Sequence, residues 1–397
     1  MTDAAHTPVI VGAVRTPIGR YMGGLSALRA PQLGSVAIRE ALSRAGVDAS
    51  SVDEVIMGHV LQGGAGQAPA RQAAIHAGVP GTVPALTINK VCGSGLKAVM
   101  LASQAIRAGD ARCVVAGGME SMSNGPHYVF GMRGGVKYGD QTMVDAVQFD
   151  GLWCSFGDCV MGAHAEYTAE QANVSRADQD QFAYDSHCKA IAAMDGGKFA
   201  AEIVPVEVPG RKGSTTVSQD EGPRRDTSLE ALAKLQPAFR ADGSVTAGNA
   251  PGLNDGASAV VVTSEAFADA HGLTALARVT AYATGGGEPR DLFFAPIHAV
   301  RNIMDKAGTT IGDYDLIELN EAFAVQVLAD GRELGWDWDR VNVYGGAVAL
   351  GHPIGASGAR ILTTLLYALR ERDATTGLAT LCLGGGNAVA LSVERIS

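Results

Sequence analysis

Two rhythms of apolar residues alternate along the chain. Short continuous runs suit strands buried on both faces, and stripes at helical spacing stop at a glycine. Ala37 to Ala45 reads as the end of a helix stopped by Gly46, with a strand entering at Val52–Ile56. The same order returns at Ala299 to Gly308 and Tyr314 to Glu318. Ala37, Arg39, Ala45, Gly46 and Asp53 recur as Ala299, Arg301, Ala307, Gly308 and Asp315, each 262 residues on. A shared helix–glycine–spacer–strand order in one register reads as a duplicated half-domain.

Each copy continues in the same way. After the first, Pro84 to Val91 reads as a strand, Cys92-Gly93-Ser94-Gly95 as a turn and Leu96 to Arg107 as a helix. Cys113 to Gly118 then reads as a buried strand. After the second come a strand at Val341 to Tyr344, a glycine-rich turn from Gly345 to Gly358 and a helix from Ala359 to Arg370. A strand from Leu378 to Leu383 ends in Gly384-Gly385-Gly386. Alternating strands and helices predict an α/β fold of mostly parallel sheets covered on both faces. Residues 119–244 have no counterpart and read as an inserted subdomain. It holds a long amphipathic helix from Ser175 to Met194 with a capping box at Ser175 and Asp178. The expected division is 1–118 plus 245–271, 119–244, and 272–397. The strand Ala259 to Val262 marks the return to the first half.

Composition narrows the field. The 397 residues include 51 glycines, and 47% are hydrophobic against 18% charged, which excludes a disordered chain. The net charge is −10, so no nucleic-acid footprint is expected. No apolar run approaches the roughly 18 residues of a membrane span. The N-terminus lacks a secretory pattern and Glu394 to Ser397 is no organelle address. The expected compartment is the cytoplasm, with its thiols reduced.

The chemistry centres on a few positions. Cys92 lies between a strand and a helix N-terminus, where a thiol pKa should fall from ~8.5 toward neutrality. A buried small hydrophobe at a turn is the plain alternative. His352 lies in Gly351-His352-Pro353-Ile354-Gly355, and the repeat matches Cys92 to Ile354. Duplicated halves that face each other would therefore bring a thiol to a histidine base. Cys382 precedes Gly384 on a buried strand. Asn320 and Glu321 follow the strand Leu316-Ile317, at the strand end where α/β folds hold ligands. Helix capping is the other use for Asn320. Cys154 and Cys159, with His164 near, are too few for a metal site. Arg211, Lys212, Arg224 and Arg225 could meet an anionic substrate.

Four blocks together are similar to the signature blocks of the thiolases. They are Asn89 to Gly95, Asn320 to Phe323, Gly351 to Gly355 with Gly358, and Cys382 to Gly386. The resemblance runs from Arg15 to the final strand. It implies two duplicated α/β halves in five α-β-α-β-α layers, with a loop domain that holds coenzyme A. Met132 to Asp140 resembles the tetramerisation loop of the biosynthetic, acetyl-CoA acetyltransferase branch, implying a homotetramer.

Carried onto this sequence, the resemblance makes Cys92 the acyl-accepting nucleophile and His352 its base. Cys382 shuttles the second proton. Asn320, through a water, completes one oxyanion hole with His352, and the amides of Cys92 and Gly384 form the other. Arg224 would meet the nucleotide of coenzyme A. Leu152, Met161, Leu235, Phe239, Ala247 and Phe323 would line the pantetheine and acyl tunnel. The implied reaction joins two acetyl-CoA into acetoacetyl-CoA and coenzyme A, reversibly, with no metal or other cofactor. Pro251, Val160 and Phe293-Phe294 depart from the branch pattern beside the tunnel. A thiolase for longer or branched 3-ketoacyl chains and a non-catalytic acyl-CoA-binding scaffold are the competing readings.

Overall fold

The computed structural model describes residues 3–396. Its main elements, in chain order, are β1 (Pro8–Arg15), α1 (Ala30–Ala45), β2 (Glu54–Gly58), β3 (Ala85–Ile88), α2 (Ser94–Ala108) and β4 (Cys113–Ser121). After the intervening segment, which contains α3 (Arg176–Asp195), come β5 (Asn254–Ser264), β6 (Ala277–Gly286), α4 (Ala295–Ala307) and β7 (Leu316–Leu319). The chain closes with α5 (Ser357–Glu371), β8 (Thr376–Leu383) and β9 (Asn387–Arg395).

The duplication is visible in detail. Gly46 and Gly308 end α1 and α4, both with φ of 68°. A carboxylate then clamps the strand that follows in space. Asp53 Oδ2 accepts from the amides of Arg112 (2.7 Å) and Cys113 (2.9 Å), and Asp315 Oδ2 from those of Thr375 and Thr376 (both 2.9 Å). The strand order is β7-β8-β9-β6-β1-β5-β4-β2-β3, palindromic about the short β6·β1 joint, Val9↔Arg278 and Ile10↔Ala277. One extra residue precedes α5, so α2 and α5 are related by 263 residues. The true counterpart of Cys92 is therefore Gly355 and not Ile354.

Layering follows from side-chain alternation. Val9 and Val11 of β1 face α1, whereas Ile10 and Ala13 face the central helices α2 and α5, with a register irregularity between Ile10 and Gly12. The second half packs likewise between α5 and α4. At the centre, a Cβ on Gly95 would lie 2.7 Å from Ala359 N, and one on Gly358 would lie 2.4 Å from Leu96 N. Only glycine lets the two helices approach this closely.

Three expectations are corrected. The sheet is mixed: β2·β3, β2·β4 and β7·β8 are parallel, but β1·β5, β5·β4, β6·β9 and β8·β9 are antiparallel. The cause is that β8 turns back into β9 through three glycines, and β5 returns beside β4, instead of crossing over a helix. The expected strand at Val341–Tyr344 is a single bridge, Ile317↔Val341. Asn342 turns the backbone to φ 45°, and its own amide bonds both Leu319 N and Leu319 O at 2.9 Å in place of a ladder. Helix α3 has the predicted capping box, but its buried face carries Gln179, Asp180, Ser186 and His187 beside alanines and is not an apolar stripe.

Candidate active site

The turn that carries Cys92 is held by its own side chains. Asn89 Oδ1 accepts from Val91 N at 2.9 Å, and Ser94 Oγ accepts from Lys90 N at 2.8 Å while donating to Val91 O at 2.6 Å. These bonds hold Val91 at φ 45°, a strained conformation for a β-branched residue. The strain directs Cys92 into a cavity of about 340 Å³ that His352, Cys382 and Gly384 also line. The amides of Gly384 and of Cys92 itself point at the Cys92 sulfur.

The expected drop in the Cys92 pKa does not occur. Burial in the apolar cavity outweighs these two amides, and the thiol is pushed up to about 12. Burial also pushes Cys382 far up, with Cys92 and Asp330 adding to the effect. Burial, and then the Arg360 charge, push His352 down to about 3. The resting site is thus neutral thiol and neutral imidazole.

The tautomer of His352 follows from its partners. Ser357 Oγ donates to Pro353 O at 2.9 Å, so it accepts from His352 Nδ1–H at 2.6 Å. That leaves Nε2 as the lone-pair nitrogen, 3.5 Å from Asn320 Nδ2. Asn320 is fully buried and is not a helix cap, because the next helix, Ala324–Leu334, has Phe323 at its N-cap. Asn320 Oδ1 has no protein donor among the described residues.

Among the remaining expected residues, Leu152, Met161, Phe239 and Phe323 line the same cavity, as do Val160, Pro251 and Phe293. Phe294 does not; it is the N-cap of α4. Phe323 meets Phe293 and Phe239 edge-on, with centroids 5.2 and 6.1 Å away, and the three rings close one side. Arg224 and Ala247 line a second hollow of about 250 Å³, which shares Ala250, Gly252 and Leu253 with the first. Leu235 lines neither and packs with Leu232 and Val348 in a small cluster. Arg225 is engaged with Asp195, and Arg211 and Lys212 occupy the exposed turn between strands Val206–Gly210 and Gly213–Val217.

Several neighbours were not anticipated. Arg20 and His187 join Arg224 in the second hollow, where burial and the two arginines push His187 down to about 4. Asn254 Oδ1 accepts from His352 N at 2.9 Å. Glu120, at the end of β4, accepts from Val60 N, Leu61 N and Gly355 N and lies 3.2 Å from His59 Nε2. It ties a loop of the first half to the His352 turn. Ser357 carried one local signal, since Ser357-Gly358 repeats Ser94-Gly95, but the 262-residue offset pointed to Ala356 and the extra residue before α5 hid it.

Known proteins match this chain over nearly all of its length. The sequence profile described as "Thiolase, N-terminal domain" matches residues 8–266, and "Thiolase, C-terminal domain" matches 273–395. An acetyl-CoA acetyltransferase of Pseudomonas aeruginosa is 56% identical over 98% of this chain and 99% of its own. One of Cupriavidus necator is 53% identical over 100% of both. The crystal structure of the Bacillus anthracis acetyl-CoA acetyltransferase superposes with a TM-score of 0.95 at 42% identity, covering 100% of each chain. A duplicated five-layer fold, a cysteine and a histidine brought together from its two halves, and two family profiles in tandem establish that this chain belongs to the thiolase family.

Proposed function

We propose that the protein is an acetyl-CoA acetyltransferase that condenses two acetyl-CoA into acetoacetyl-CoA and coenzyme A, and runs the reverse thiolysis. The observation that carries this is the convergence of Cys92, His352, Cys382 and Gly384 on one cavity, with Asn320 beside His352 Nε2. His352 Nε2 takes the Cys92 proton as the sulfur attacks the first thioester. The amides of Cys92 and Gly384 receive the oxyanion. The carbon–sulfur bond to coenzyme A breaks, and the leaving sulfur takes its proton from Cys382. The Cys382 thiolate then removes a proton from the methyl of the second acetyl-CoA. A buried thiolate with a strongly raised pKa is a good base for so weak a carbon acid. The enolate oxygen lies against imidazolium His352 and a water on Asn320, whose Oδ1 is otherwise unpartnered. The enolate carbon attacks the acetyl group, and Cys92 departs and recovers its proton from His352.

Arg20 and Arg224 suit the phosphates of coenzyme A, and the strip Ala250–Leu253 suits pantetheine on its way to Cys92. The ring cluster of Phe239, Phe293 and Phe323, together with Met161, supports a short acyl group over longer or branched chains. Residues 119–244 act as the coenzyme A-binding insert between halves 1–118 plus 245–271 and 272–397. Exposed Met132, Val136, Tyr138 and Met143 in that insert support a homotetramer. No cofactor beyond coenzyme A is needed. Among the described residues no helix is long and apolar enough to cross a membrane; we assign the protein to the cytoplasm. The test is turnover of acetoacetyl-CoA with coenzyme A, followed by loss of the 3-ketoacyl absorbance across a series of acyl lengths. Acetoacetyl-CoA should be the fastest substrate. A clear win for longer chains would move the protein to the degradative class, and no turnover at any length would leave a binding scaffold.

A further inference from the structure

A second thiol–histidine contact lies outside the catalytic set. Strands Trp153–Cys154 and Cys159–Val160 form a hairpin in which Trp153 opposes Val160 and Cys154 opposes Cys159. Directly opposed residues of an antiparallel pair have Cα atoms about 4.5–5.5 Å apart. A disulfide spans about 4.4–6.8 Å, so the two cysteines are in bonding register. Alternation puts both sulfurs on the face opposite Trp153 and Val160. Cys154 is buried and Cys159 half-buried, and Gly157 N donates to Cys154 Sγ at 3.3 Å.

His164, on the helix Met161–Gln171, completes the cluster. Its Nδ1 lies 3.2 Å from Arg290 O, which can only accept, so Nδ1 carries the proton. Its Nε2, 3.5 Å from Cys159 Sγ, is then the free base. Burial, with Cys154 and Asp158 adding to it, pushes the Cys159 thiol up, so it rests protonated and needs that base. Among the described residues no group of three His, Cys, Asp or Glu side chains is arranged to hold a metal.

We propose that Cys154 and Cys159 are a reversible redox pair, with His164 as the base of Cys159, that exchanges with low-molecular-weight disulfides such as glutathione disulfide. His164 Nε2 takes the Cys159 proton as Sγ attacks one glutathione sulfur. The glutathione S–S bond breaks, and the departing glutathione receives that proton. Cys154 then attacks the mixed disulfide at Cys159, forms the Cys154–Cys159 bond and releases the second glutathione, which takes the Cys154 proton. The protein dithiol loses two electrons, and one disulfide becomes two thiols. The site needs no assumption about substrate. Its consequence reaches the catalytic cavity all the same. Leu152, Val160 and Met161 flank the cysteines and line that cavity, and at the tip Phe156 lies 3.4 Å from where a Cβ on Gly385 would stand. Closing the bond clips this wall in place.

Peptide mapping after glutathione disulfide treatment and alkylation tests the proposal. No Lys or Arg separates Lys137 from Arg176, so trypsin leaves both cysteines in one peptide, residues 138–176. That peptide should be two hydrogens lighter than its reduced form, unalkylated, and restored by dithiothreitol. In Cys154→Ser, and in Cys154→Ala as a second variant at this buried position, a glutathione mixed disulfide should persist at Cys159. His164→Gln should slow closure about 100-fold near neutral pH, the lower end of what a lost general base costs. Alkylation of both cysteines while other thiols of the chain are oxidised would overturn the pair. An unchanged rate in His164→Gln would overturn the role of the histidine.

Discussion

The turns that open α2 and α5 stand at equivalent points of the two halves, and each is clamped by the first serine of its helix. Ser94 donates to Val91 O and Ser357 to Pro353 O. The difference lies in what each serine accepts. Ser94 accepts a backbone amide, Lys90 N, and so holds a strained turn that aims a thiol. Ser357 accepts His352 Nδ1–H and so sets a tautomer. One duplicated clamp therefore fixes geometry in one half and protonation in the other. The second role required only that a histidine be placed where the serine already had a spare lone pair.

The comparison can be broken at four points. Cys92→Ala should lower kcat for acetoacetyl-CoA thiolysis by a factor on the order of 10⁴ or more while leaving the circular dichroism spectrum intact. Residual turnover within tenfold of the wild type would remove the thiol from the chemistry. Ser357→Ala and Ser94→Ala should then diverge. The first should cut kcat by about 10- to 100-fold, beyond a stability loss of about 1 kcal/mol from the released imidazole N–H. The second should cost about 1 kcal/mol of stability through the released Lys90 amide, with a smaller effect on kcat. If both variants lose rate and stability in the same ratio, the two clamps have one role.

Next comes pH. His352 titrates near 6.5 when unfolded and is pushed down to about 3 when folded, so between these values the unfolded chain binds a proton that the folded chain refuses. Stability contributed by His352 is therefore intact above pH 6.5 and falls with acidification, by about 1.4 kcal/mol per pH unit. Urea titrations at pH 7 and 5 should show His352→Asn losing less stability on acidification than the wild type. Equal losses would mean that the imidazole is solvated. The smallest effect is a symmetry check. Gly46→Ala and Gly308→Ala both meet φ of 68° in open space, and each should cost about 1 kcal/mol. Thermal melts that differ clearly between the two would break the equivalence of the helix ends.

The signature residues stood out through the resemblance of their blocks to the thiolases; local spacing added only that Cys92, His352, Cys382, Gly384 and Asn320 stand at strand ends or turns, where a plain structural use was equally open. The repeat was legible because glycine stops and the clamping aspartates must sit at fixed places. What stayed hidden depends on distant partners. The antiparallel ladders need knowledge of where β5 and β9 return. The sign of the Cys92 shift depends on burial by residues far along the chain, against two local amides. Arg20 reaches the Arg224 hollow across about two hundred positions of sequence, a separation no spacing rule covers. Asn342 hid a broken strand behind an apolar-looking run, because a side chain took over the work of the backbone.

The palindromic sheet also has a kinetic side. Strands β8 and β9 are joined by Gly384–Gly386 alone, whereas their counterparts β4 and β5 must wait for residues 122–253 to be spanned. Loop-closure entropy rises by about 0.6 kcal/mol for each doubling of length, and non-local pairings form late. The same ladder is thus a hairpin that can zip locally in one half and a long-range closure in the other. The half that carries His352 and Cys382 can order itself first, and the half that carries Cys92 completes the site last.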